Sequence, residues 1–199
     1  MQNIFPIHES LLKTEDKEKL LGQHSLVVWM VGLSGSGKST LARALENTLY
    51  AKGFLTQILD GDNLRGGINS NLGFGETDRT ENIRRAAEVA RLFAGCGVIV
   101  ICSFISPTNM LRAMAREIIG EEKYFEVYVN SPMEVCEERD VKGLYARARR
   151  GEIPDFTGIS APFEEPAGAA LELRTDLNSL EACSQTLAEA VMKKIRYGT

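Results

Sequence analysis

At 199 residues and 44% hydrophobic, the chain has enough apolar material for one well-buried domain and too little for two of ordinary size. Its 23 basic and 27 acidic residues leave a net charge of −4, which excludes the broad basic face that general nucleic-acid binding needs. No apolar run approaches the roughly 20 residues of a membrane span, so neither nucleic acid nor membrane is an expected partner.

The opening MQNIFPIHESLLKTEDKEK carries acids and no apolar core segment, so it does not read as a secretory leader. Residues 1–24 read as a short amphipathic arm ahead of a single domain over 25–199. Ser25–Val31 (SLVVWMV) has the unbroken apolar run of a strand buried on both faces, and a glycine-rich turn follows it. A helix then runs to about Tyr50, with Leu41, Leu45 and Leu49 four residues apart, and Gly53 is its natural stop. Phe54–Leu59 reads as a second strand. Ile83, Ala86, Ala87, Ala90, Phe93 and Ala94 make one face of another helix, which ends near Gly95. Val98–Cys102, Phe125–Val129 and Ala170–Arg174 are the remaining strands; Thr108–Ile119, Pro132–Arg139 and Leu180–Ile195 are the remaining helices.

Strands alternating with helices specify an α/β fold: three layers, a parallel sheet of about five strands, and helices on both faces. Ligands of such sheets sit beyond the carboxyl ends of the strands. In this chain those ends carry GLSGSGKST, DGDNLR, SFISP, and NSP leading into RDVKGLY, all of them polar or glycine-rich. Cys96, Cys102, Cys136 and Cys183 show no CxxC pairing; buried thiols and a redox or metal role compete, and with His8 and His24 alone a zinc site is not expected. The expected compartment is the cytoplasm.

Gly32-Leu33-Ser34-Gly35-Ser36-Gly37-Lys38-Ser39, followed by Thr40, fits the phosphate-loop pattern in its required setting, after a strand and opening a helix. Its backbone N–H groups and the helix N-terminus would cradle the phosphates of ATP. Lys38 would reach the β- and γ-phosphates, and the Ser39 hydroxyl would ligate Mg²⁺. No guanine-reading N-K-x-D follows, and the chain is too small for an ATPase motor, so a small-molecule kinase leads. In Asp60-Gly61-Asp62-Asn63-Leu64-Arg65 two carboxylates flank a glycine: one can hold a metal's waters while the other takes a hydroxyl proton. Arg65, Arg79, Lys142, Arg147, Arg149 and Arg150 lie in polar segments beyond strand ends and point to an anionic acceptor. Arg84, Arg85 and Arg91 fall along a helix and read as solvated. Gly151–Pro166, with two Phe residues among Gly and Pro, reads as part of a lid over about 143–166.

GLSGSGKST, DGDN-x-R, NLGF, D-R-x-E-N-I-R-R, SFISP, RDVKGLY, GEI and FTGI occur in this order. Together they closely resemble the adenylylsulfate kinase family over about Ile4 to Asp176. The resemblance implies transfer of the γ-phosphate of ATP to the 3′-hydroxyl of adenosine 5′-phosphosulfate (APS), giving PAPS and ADP. It also implies a homodimer working downstream of an ATP sulfurylase. Carried over by motif, Asp60, Asp62, Asn63 and Arg65 would bind APS, with Asp62 the base and Asp60 beside Mg²⁺. Phe74 and Phe156 would sandwich the adenine. Arg79, Asn82 and Lys142 would contact the phosphosulfate or ribose, and Leu72, Ser103, Phe104 and Ile105 would line the pocket. Ser106 aligns with a serine that the family's naming treats as a phosphoserine intermediate. Against that, a Ser before Pro at a strand end suits helix capping or APS positioning, and one direct transfer is expected. Gly66 where the family has His or Gln, Asp155 where it has Gly, Asn130 where it has Asp, and Glu-Thr-Asp-Arg-Thr where it has Pro-Glu-Asp-Arg-Glu are departures that bear on affinity. Two other readings have to be separated from this one: a nucleoside or sugar kinase, and a nucleotide-binding regulatory domain without turnover.

Overall fold

The computed structural model describes Phe5, Ile7 and residues 10–198. The elements run α1 (Thr14–Leu21), β1 (Val27–Val31), α2 (Lys38–Tyr50), β2 (Thr56–Asp60), α3 (Gly61–Arg65), α4 (Glu76–Ala94) and β3 (Ile99–Ser103) in the first half. They continue through α5 (Asn109–Ile119), β4 (Tyr124–Asn130), α6 (Met133–Arg139), α7 (Leu144–Arg149), β5 (Leu171–Arg174) and α8 (Leu180–Ile195). The five strands form one sheet in the order β2-β3-β1-β4-β5, every pairing parallel.

The period-2 alternation of the three central strands builds two cores, one on each face. Val28 and Met30 of β1, Ile99 and Ile101 of β3, and Phe125, Val127 and Val129 of β4 pack with Leu41, Leu45 and Leu49 of α2 and Leu187, Val191 and Ile195 of α8. Val27, Trp29 and Val31, with Val100 and Cys102, point the other way. They meet Ile83, Ala86, Ala87 and Ala90 of α4 and Leu111 and Ala115 of α5. Burial on both faces is why β1 and β3 lack polar alternation, whereas β4 keeps it, with Tyr124, Glu126 and Tyr128 opposite Phe125, Val127 and Val129. Small alanines let α4 lie close on the sheet, and Phe93, expected on that face, instead reaches the rim with about a third of its surface exposed. A third cluster, with Leu33, Cys136, Tyr145, Ala148 and Phe156, lies under residues 151–166.

Part of the expected arm is a helix, α1, while residues 1–4, 6, 8 and 9 lie outside the described residues. Glu18 anchors it. This buried carboxylate accepts from Ser25 N (2.8 Å), Ser25 Oγ (2.7 Å) and Lys123 Nζ (2.6 Å), and faces His24 Nδ1 at 2.9 Å. Burial pushes its pKa up, but the bonds from Lys123, His24 and Ser25 outweigh that and hold it at about 2. The folded pKa lies below the ordinary carboxylate value of about 4.3, so the stabilisation is present above that value. It is lost as the pH falls toward 2. Glu18→Ala should cost on the order of 3 kcal/mol at pH 7, the low end for a broken buried ion pair, because Lys123 keeps a third of its surface in solvent. Denaturant titrations of both proteins should show the gap narrowing from pH 5 to pH 3; a gap independent of pH would contradict the charge assignment.

Candidate active site

The carboxyl ends of β1, β2, β3 and β4 open on one side of the sheet, and the polar segments named above converge there. The phosphate loop leaves β1 and α2 begins at Lys38, with Gly37 in its N-cap. Two glycines of the loop are sterically required. A Cβ on Gly32 would lie 2.4 Å from the Val129 carbonyl oxygen, and one on Gly35 would lie 2.8 Å from the Cys136 carbonyl oxygen. Gly35 also has a φ of 79°, a left-handed conformation costly for any other residue. Three side chains distant in sequence brace the loop. Tyr145 Oη donates to Ser34 O at 2.9 Å, Thr175 Oγ1 donates to Ser36 O at 2.8 Å, and Arg139 ties Gly35 O to Thr175 O. Sequence reasoning did not single out any of the three.

Lys38 is buried, its Nζ donating to Gly32 O at 2.9 Å and Leu33 O at 2.7 Å, with Ser36 Oγ at 3.5 Å. Burial presses its pKa down to about 8 despite the opposing pull of Cys136, Asp60 and Asp62. The lysine thus sits inside the loop as a desolvated cation whose hydrogen-bond partners are all neutral, two carbonyls and a hydroxyl, a ready place for anionic oxygen. Thr40, next along α2, is exposed.

Asp60, the last residue of β2, does two things at once. Its Oδ1 accepts from Asp62 N at 3.0 Å and caps α3. Its Oδ2 accepts from Ser39 Oγ at 2.7 Å, and Ser103 Oγ lies 3.2 Å from the same hydroxyl. The result is a group of hard oxygen donors at the phosphate loop, the set that Mg²⁺ prefers. Among the described residues no three His, Cys, Asp or Glu side chains gather as a metal cluster, so a divalent ion here would be completed by phosphate oxygens and water. Asp62 projects from α3 and pairs with Lys142 Nζ, which enters from the turn before α7. Asn63 is exposed beside it.

The acceptor-side residues gather around α3 and the start of α4. Arg65 donates to Leu72 O and Gly73 O (3.3 and 2.7 Å), with its guanidinium 4.3 Å over the Phe74 ring. Arg79 donates to Phe74 O at 2.6 Å and Thr157 Oγ1 at 2.7 Å, and it also bonds the Asp155 carbonyl. It thereby brings the Phe74 turn and the segment holding Phe156 together. Burial lowers the pKa of both arginines, and for Arg65 the charge of Arg79 adds to that, so the two cations share one region. Asp155 adopts a φ of 53°, consistent with the glycine that the family pattern has there. Gly66 has a helical φ of −77° and needs no glycine; the turn it ends is closed by its bond to Asp62 O.

Several expectations need correcting. Phe74 is 62% exposed, whereas Phe156 is 9% exposed and packs edge-on against Tyr145 at 5.0 Å, so the two rings are unequal. Phe104 does not line an open pocket; it is buried and stacks on Trp29 at 5.0 Å, while Ile105 beside it is half-buried. Ser106 is not the cap of α5, because Thr108 is, its side chain accepting from Leu111 N. The Ser106 hydroxyl instead points into the core, accepting from Trp29 Nε1 at 3.0 Å, with its carbonyl taken by Arg112. Arg147 and Arg150 pair with Glu152, and Arg149 pairs with Glu137, all on the surface, so that cluster does not converge on the cleft. Arg84 and Arg91 are surface pairs as expected, but Arg85 reaches Ile68 O and Asn71 Oδ1 and pins that loop. Three of the four cysteines are buried thiols, and Cys96 is exposed.

A parallel sheet whose first strand feeds a braced phosphate loop, with carboxylates on the second strand's end facing that loop and cations beyond them, defines a P-loop kinase. Residues 24–174 match the family model described as adenylylsulphate kinase, and the chain belongs to that family. It is 59% identical over 193 residues to the adenylyl-sulfate kinase of Bacteroides thetaiotaomicron, covering 97% of this chain and 96% of that one. It is 58% identical over 191 residues to the enzyme of the same name from Phocaeicola vulgatus, covering 96% and 94%. The structure of the Mycobacterium tuberculosis APS kinase in complex with AMPPNP and APS superposes with a TM-score of 0.82 at 44% identity. That match spans 85% of this chain and 98% of the other.

Proposed function

We propose that this protein catalyses transfer of the γ-phosphoryl group of ATP to the 3′-hydroxyl of APS, giving PAPS and ADP. The observation that carries this reading is the contact of Ser39 Oγ with Asp60 Oδ2 at 2.7 Å. It sets the Asp60–Arg65 turn directly against the phosphate loop, so donor and acceptor sides share one cleft. The family resemblance and the relatives' shared activity support the choice of APS within that chemistry.

In this reading the backbone N–H groups of Gly32–Thr40 and the Lys38 ammonium hold the triphosphate. Ser39 and Asp60, the latter in part through water, would hold Mg²⁺, which when bound neutralises phosphate charge. Arg65, Arg79, Asn82 and Lys142 would bind the phosphosulfate or ribose, with Leu72, Ser103 and Ile105 alongside. Phe74 and Phe156 would flank the adenine. Residues of about 143–166 would act as the lid, tied to α4 by Arg79 and to the start of α5 by Glu164, whose Oε2 accepts from Asn109 N at 2.6 Å. In the transfer the 3′-oxygen forms a bond to Pγ as the bond from Pγ to the β–γ bridging oxygen breaks. The hydroxyl proton passes to Asp62 and ADP leaves. A cytoplasmic homodimer supplied with APS by a separate ATP sulfurylase completes the proposal.

Direct transfer is the simpler route, because the Ser106 hydroxyl is turned into the core and bonded to Trp29. Ser106→Ala should therefore keep measurable turnover, and a chiral γ-phosphorus should be inverted. Retention of configuration, or a phosphorylated enzyme chased into PAPS, would establish the two-step route. Phe74→Ala should weaken APS binding about tenfold while ATP binding is unchanged, since base–aromatic stacking is worth roughly 1–3 kcal/mol. Equal losses for both nucleotides in a binding titration would remove Phe74 from the acceptor site.

The assay that tests the function is coupled ADP release with APS, AMP, adenosine and gluconate as acceptors. APS alone should support rapid release. Release with gluconate or adenosine would select the other kinase reading, and nucleotide binding without release would select a regulatory domain.

A further inference from the structure

The loop between α3 and α4 holds one buried polar side chain that the chemistry above does not use. Asn69 is fully buried, and its backbone is fixed on both sides by Asn69 N→Leu64 O at 2.8 Å and Leu72 N→Asn69 O at 3.0 Å. Its side-chain Nδ2 donates to Asn82 Oδ1 at 3.0 Å, and its own Oδ1 has no hydrogen-bond partner among the described residues. With the amide turned over, Asn69 Oδ1 would accept from Asn82 and both Asn69 N–H groups would be buried unpaired, against one N–H and the carbonyl oxygen as it stands. An unpaired buried carbonyl is tolerated better than unpaired buried donors, so the observed direction of the bond is the stable one.

This direction has a consequence at Asn82. With Oδ1 turned to Asn69, the Asn82 amide directs its Nδ2 to the other side. That nitrogen makes no hydrogen bond among the described residues, and unlike Asn69 Oδ1 it is not sealed from the surface. Asn82 lies three residues after Arg79 on α4, hence on the same face. The adjoining loop carries Arg65 at one end and Phe74 at the other.

We infer that Asn69 is a positioning residue: it locks the Asn82 amide so that its N–H₂ faces the anionic acceptor beside Arg65 and Arg79. The inference rests on the reading of that acceptor as APS. A free Asn82 could present either its oxygen or its nitrogen, and an oxygen turned toward a phosphosulfate would repel it. The lock makes the site selective for an acceptor oxygen at that point.

The test is a double-mutant cycle on Asn69→Ala and Asn82→Ala, read as KM for APS, KM for ATP and thermal midpoint. Wild-type turnover with APS checks the underlying reading separately; its absence sinks that reading before any variant is compared. Given wild-type turnover, Asn69→Ala should raise KM for APS about tenfold, the scale of one hydrogen bond to a charged group, with KM for ATP unchanged. In the Asn82→Ala background the same change should raise it less than twofold, because the amide it positions is gone. If Asn69→Ala is too unstable to assay, Asn69→Leu, which fills the same volume without polar atoms, goes through the same cycle. Equal rises in both backgrounds, parallel rises for ATP and APS, or no rise in the wild-type background would each overturn the inference.

Discussion

Lys38→Ala should lower kcat by at least about 10³-fold while the protein remains folded. Removing one preorganised hydrogen-bond donor to developing negative charge costs on the order of 10²–10³, and Lys38 supplies a full charge from inside a water-poor loop. Its ammonium is buried against Gly32 O, Leu33 O and Ser36 Oγ, so it needs little rearrangement to meet phosphate oxygens. Burial has already pushed its pKa to about 8, which means the folded protein pays to keep this charge desolvated in advance of binding. Steady-state kinetics with circular dichroism of the variant check the expectation. Turnover within tenfold of the parent would show that the phosphates are held elsewhere.

Asp62→Asn should lower kcat by on the order of 10²–10⁴, the range for removing a general base, and leave KM for APS within a few-fold. The amide keeps the shape of the carboxylate and the main-chain bond to Asp60, so α3 should persist. What it loses is the capacity to take the 3′-hydroxyl proton, together with its charge opposite Lys142. Single-turnover rates beside equilibrium APS binding separate the two contributions. A rise in KM that matches the fall in kcat/KM would make Asp62 a ligand-holding group instead.

The sequence displays most of the sheet because β1 and β3, buried on both faces, read as apolar runs, and β4 still shows through Phe125, Val127 and Val129 despite Glu126 among them. The edge strand β2, only half-buried, is displaced by two residues at its start and one at its end from the expected Phe54–Leu59. α3 and α7, with five and six residues, are too short to show a helical period. α1 shows in the sequence only as part of an arm, since what fixes it is Glu18 meeting Lys123, a contact 105 positions apart that no local pattern contains. The phosphate loop was legible because its backbone geometry needs glycines at set intervals. The site's long-range contacts were not: the Lys142–Asp62 pair, the Arg79 bonds to residues 155 and 157, and the Arg139–Thr175 brace all depend on how separate strand ends meet. Ser106 shows the limit most clearly. A Ser-Pro at a strand end suits a cap, yet a left-handed φ of 44° turns its hydroxyl to Trp29 and leaves capping to Thr108.

Identifying the product of γ-labelled ATP tests the central claim most directly. With APS as acceptor the label should appear in PAPS, and a 3′-nucleotidase should release it as labelled phosphate while regenerating APS. Label released to water with APS unconsumed, or label that a 3′-nucleotidase cannot remove, would contradict phosphorylation of the 3′-hydroxyl of APS by this protein.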